Sequence, residues 1–76
     1  MSIQRLEKLA RRVVGRHVEV KFGAGAFTDG TSITVIDPEK RWPKIPASAK
    51  KDVREHLTTH EATLILLFDR IVKKLG

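Results

Sequence analysis

A change of hydrophobic period, a tight-turn signature and one long apolar-striped segment predict an α/β protein of the α+β kind. Apolar residues first recur three and four apart, then alternate, then return to helical spacing. The order is α-β-β-α, an antiparallel hairpin packed against two helices, the C-terminal one long.

The first helix is predicted over Ile3 to Val14, with Ser2 as its cap and Gly15 as its stop. Ile3, Leu6, Leu9, Ala10 and Val13 form its apolar face, and Arg5, Lys8, Arg12 and Arg16 form a basic stripe. The period then becomes two. Val18, Val20 and Phe22 alternate with His17, Glu19 and Lys21, as in a half-buried strand. The glycine-rich stretch from Gly23 to Gly30 ends on Asp29-Gly30, a turn pair that tolerates positive φ. A β-branched run from Thr31 to Ile36 makes the second strand, paired antiparallel with the first.

Pro38, Pro43 and Pro46 punctuate Asp37 to Pro46 and place it outside the sheet, because proline lacks the backbone donor that pairing needs. The last helix is predicted over Ala49 to Leu75, with Ser48 as cap. Asp52 and Glu55 near its start, and Arg70, Lys73 and Lys74 near its end, complement the helix dipole. Val53, Leu57, His60, Leu64, Leu67 and Ile71 follow the alternating four-three spacing of a heptad seam. Ile65, Phe68, Val72 and Leu75 widen this apolar face in the second half. Two short strands and a shorter helix cannot cover a stripe roughly 40 Å long. A protein partner or a homodimer is therefore expected at that seam.

Seventy-six residues support a single domain, 1–76. A chain of this size buries only about 60% of its unfolded surface and depends on its apolar core. The absence of cysteine excludes disulfides and thiolate metal sites. A formal charge of +6 favours nucleic acid or other anionic partners. Met1 to Ala10 lacks the apolar core of a signal peptide, and the run Leu64 to Phe68 falls far short of the ~20 residues of a membrane span. A cytoplasmic location without membrane insertion is expected.

His56 and His60 stand one helical turn apart and could share a metal ion, yet no third ligand accompanies them on that face. Two polar residues on an amphipathic helix is the alternative reading. Lys40, Arg41, Trp42 and Lys44 form a second basic group, in which Trp42 either stacks on a base or folds back over the hairpin. Gly23-Ala24-Gly25 opens no helix and lacks the lysine of a nucleotide loop. No catalytic residue and no cofactor follow from the residue pattern.

The motif Thr28-Asp29-Gly30, the strand Ser32 to Ile36, Pro38 and the helical His60-Glu61-Ala62-Thr63-Leu64 occur in an informative order. Over roughly Val18 to Asp69 the chain resembles the zincin-like metallopeptidase domains associated with von Willebrand factor A modules. The resemblance implies a truncated scaffold of that kind, whose helix carries the His-Glu-x-x-His motif. Leu64 stands where the second zinc-binding histidine belongs. In the complete motif two histidines hold the metal while the glutamate acts as general base. With Leu64 in that place, Glu61 lacks an activated water. The expected function is a non-catalytic binding domain acting through the long helix. Nucleic-acid binding without sequence preference through the basic faces is the alternative, and a metal-dependent hydrolase comes third.

Overall fold

The computed structural model describes residues 2–75. Its elements are α1 (Ser2–Val14), β1 (Glu19–Gly23), β2 (Phe27–Thr28), β3 (Ser32–Ile36), α2 (Pro38–Arg41) and α3 (Ala47–Leu75). The architecture is α+β, with a three-stranded mixed sheet and a long C-terminal helix packed on it. Leu6 and Ala10 of α1 and Ala62 and Ile65 of α3 meet Val18, Val20, Ile33 and Val35 in one buried cluster. Both helices therefore cover the same face of the sheet.

The strand pairing departs from the expected one. The two predicted strands are neighbours in the order β1-β3-β2, but they run parallel, with Val20 opposite Ile33 and Phe22 opposite Val35. The antiparallel hairpin lies instead between β3 and the two-residue strand β2, which pairs Phe27 with Thr34 and Thr28 with Ile33. Residues 24–26 carry the chain from one side of β3 to the other. Sequence periodicity identifies strands but not which edge receives them, and a two-residue strand is too short to show a period.

The hairpin turn is held by side chains. Asp29 Oδ1 accepts from the backbone amides of Thr31 at 2.9 Å and Ser32 at 2.8 Å. These bonds hold the Asp29 carboxyl well below the usual carboxylate range, because they stabilise its ionised form. Gly30 adopts φ +92°, a backbone conformation that favours glycine. The outer edge of β1 is also engaged, since the Val20 amide donates to Glu7 Oε2 at 3.1 Å. That contact ties α1 to a strand edge that would otherwise present an unpaired donor.

α1 stops as expected, with Gly15 at φ +88° and its amide donating to the Arg11 carbonyl at 2.8 Å. The cap expected of Ser2 lies outside the described side chains. The proline segment is not wholly irregular, because Asp37 caps the four-residue α2 through Glu39 N, with Pro38 at its first turn. α3 begins at Ala47, which puts Ser48 inside the helix rather than at its cap. The Lys50 amide donates to the Pro46 carbonyl at 3.1 Å. Asp52 and Glu55 thus fall beyond the first turn, which holds no acid, whereas Lys73 and Lys74 occupy the last turn as expected.

Candidate functional site

Helix α3 spans 29 residues, about 43 Å at 1.5 Å per residue, and sets the 47 Å long axis of the molecule. Its buried side is Lys50, Thr58, Glu61, Ala62 and Ile65. None of the residues from Leu66 to Leu75 is buried, because the sheet and α1 end before the helix does. Leu64, Leu67, Phe68, Ile71, Val72 and Leu75 are exposed by 44–83%. Spacings of three and four put them on one face, alongside the core-facing side rather than opposite it.

The predicted seam divides at this point. Val53 and Leu57 are half-buried at the flank of the core, while His60, Leu64, Leu67 and Ile71 are exposed. Leu64, Leu67, Phe68 and Ile71 form one wall of a predominantly apolar groove of about 480 Å³. The opposite wall is the hairpin turn, Thr28, Asp29 and Gly30. Arg16 braces it by donating to the Gly30 carbonyl at 3.0 Å and to Asp69 Oδ2 at 3.1 Å, linking the end of α1, the turn and α3.

That brace alters the basic stripe on α1. Arg16 is paired with Asp69, and Arg5 Nε donates to Glu55 Oε2 at 2.9 Å. Lys8 and Arg12 lie beside the Arg5–Glu55 pair in a shallow groove of about 120 Å³. Two of the four predicted phosphate-binding cations thus meet a carboxylate of the same chain. Surface pairs of this kind add little to stability, but they reduce the charge presented to a strand.

Lys40, Arg41, Trp42 and Lys44 are all exposed. Trp42 is 38% exposed, and its ring lies 5.9 Å from the Arg41 guanidinium carbon. Lys40 and Arg41 line a cleft of about 470 Å³ whose floor includes Phe22, Gly23 and Ile36. Gly23 and Ile36 end the parallel strands β1 and β3, so the cleft sits at the carboxyl ends of both. A Cβ on Gly23 would come within 2.6 Å of Thr34 Cγ2, and only glycine fits there without displacement.

His56 and His60 are exposed on α3, and Glu61 is buried on its core side. Among the described residues no group of three or more histidine, aspartate or glutamate side chains could hold a metal ion. Leu64 lines the apolar groove. No described helix is long and apolar enough to cross a membrane.

No protein-family model, curated protein or solved structure matches this chain. The cleft itself was not legible in the sequence, because it depends on the parallel pairing of β1 with β3. The glycine run before Phe27 was the available signal, and it reads equally well as a flexible loop.

Proposed function

We propose that this chain is a non-catalytic interaction domain that binds a protein surface, a second copy of itself or another protein, through the exposed half of its long helix. The observation that carries the reading is the stripe Leu64, Leu67, Phe68, Ile71, Val72 and Leu75, which the domain leaves uncovered. Contiguous apolar surface on a small protein marks an interaction site more often than it marks chance exposure. The groove beside the Asp29-Gly30 turn gives the stripe a second wall against which a partner helix could pack.

The resemblance to zincin-like metallopeptidase domains is kept as part of this proposal, as a scaffold without the peptidase chemistry. Leu64 among apolar groove residues supports that view, because a metal seat there would need a polar ligand. Sedimentation equilibrium over a wide concentration range tests association. A mass that rises above that of the 8.6 kDa chain with concentration is expected. A mass of one chain throughout would refute self-association and leave a different protein as the partner to be found.

A further inference from the structure

The buried Lys50 is the observation that bears on a second site. A lysine is seldom buried without a partner, because its ammonium loses water. Here the side chain of Lys50 is 9% exposed, and Nζ donates to Glu39 Oε2 at 3.2 Å and to the Pro43 carbonyl at 3.1 Å. Both acceptors belong to the segment that carries Lys40, Arg41, Trp42 and Lys44. The segment is fixed at its start as well, by the Asp37 carboxylate accepting from Glu39 N at 3.0 Å and by the burial of Pro38. An exposed basic-aromatic loop is thus held from below by a buried charge, as a preorganised recognition element would be.

The loop forms one wall of the cleft at the carboxyl ends of β1 and β3, the end at which open sheets with parallel strands bind ligands. The volume of about 470 Å³ lies within the range of small-molecule sites, roughly 300–1,000 Å³. Lys40 and Arg41 supply the cationic wall, and among the described residues neither has a carboxylate within ion-pair distance. Asp37 is the acid at the cleft, and its Oδ1 is engaged in capping α2. Phe22, half-buried, adds an apolar floor, and the ring of Trp42 lies 5.9 Å from the guanidinium carbon of the cleft residue Arg41.

We propose that this cleft binds the phosphodiester backbone of single-stranded nucleic acid, with Lys40 and Arg41 on phosphates and Trp42 stacked on an adjacent base. Phosphate binding favours cations that are not already ion-paired, as Lys40 and Arg41 are not among the described residues and as Arg5 and Arg16 of the α1 stripe are. A flat, partly exposed aromatic next to Arg41 suits an unpaired base, whose face is open in a single strand and covered in a duplex. Recognition is through backbone and stacking, so it reads little sequence.

Trp42 is the only tryptophan in the chain, and its fluorescence reports on the site directly. The intact protein is titrated at low salt with an oligothymidylate single strand, a duplex of the same length, thymidine monophosphate and inorganic tripolyphosphate. The single strand is expected to quench Trp42 saturably, with the other three much weaker. Two cations on phosphates predict a slope of affinity against salt, in logarithms, of about −1.4. The double variant Lys40→Glu, Arg41→Glu should weaken binding by about tenfold or more, while Lys8→Glu, Arg12→Glu on α1 should leave it within about threefold. Circular dichroism confirms that each variant is folded. Absence of quenching by the strand overturns the proposal, as does binding lost through α1 rather than the cleft. Equal saturation by the monophosphate or tripolyphosphate overturns it too, in favour of a free nucleotide or a plain anion site. Mass measurements on the stripe of α3 are independent of all these outcomes, so failure of either reading is recognised separately.

Discussion

Leu67→Lys separates the two roles that an apolar helical residue can have. Leu67 is 47% exposed, so about half of the roughly 1.5–3 kcal/mol available from full burial remains to be gained, or about 0.7–1.5 kcal/mol. Six such residues on each of two facing copies offer about 8–18 kcal/mol before costs. Loss of rotational and translational freedom opposes this by about 4–15 kcal/mol, a cost of the same size, so association is expected to depend on concentration. A lysine at this position removes the apolar gain and leaves an ammonium to be desolvated in the contact, at least about 1.4 kcal/mol per copy. Association of two copies should therefore weaken about 100-fold or more. Folding should change little, because the site is half exposed. Thr63→Lys, at an exposed position off the stripe, should leave association intact. Ile65→Ala marks the other extreme: Ile65 is 1% exposed, and its truncation should cost about 2–5 kcal/mol of stability in urea denaturation. Sedimentation equilibrium and circular dichroism on the wild type and all three variants make the measurement. If Leu67→Lys unfolds the domain as Ile65→Ala destabilises it, Leu67 is core and the stripe is not free. If Leu67→Lys and Thr63→Lys weaken association equally, the contact lies elsewhere.

Three further outcomes follow from local geometry. Gly23→Ala should destabilise by about 1–3 kcal/mol through its clash with Thr34 Cγ2, and Thr34→Ser, which removes that methyl, should recover most of the loss in the double variant, as read by denaturant titration. Thr58 Oγ1 is buried without a hydrogen-bond partner among the described residues, so Thr58→Val should be neutral or stabilising in the same assay, and a loss above about 1 kcal/mol would reveal a bond to that hydroxyl. The depressed folded-state pKa of Asp29 means that its contribution to stability is complete above the ordinary aspartate pKa of about 3.9 and is lost as pH falls below it. Thermal midpoints measured between about pH 5 and about pH 2 should fall less steeply for Asp29→Asn, which keeps an acceptor oxygen in the turn without the titrating proton.

The sequence alone determined the class of this protein, its two long helices and the identity of its turn. Helical and alternating periods are local properties, so α1, β1 and β3 could be read from the spacing of Leu6, Val20 and Val35 with no knowledge of their partners. Asp29-Gly30 carried the hairpin turn because its chemistry is local as well. The exposed stripe on α3 was anticipated from length, since a helix of that span outruns a small domain whatever its packing. Tertiary structure decided what depends on distant chain segments. The parallel pairing of β1 and β3 hangs on the passage of residues 24–26 past β3 to a two-residue strand, and no local signal encodes that side. Partners for Arg5 and Arg16 lie more than 45 residues away on α3, so a stripe that looks uniformly basic in sequence is half neutralised in the fold. Lys50 likewise reads as one more solvated helix charge until the return of the proline segment covers it, because burial is a property of neighbours and not of the residue.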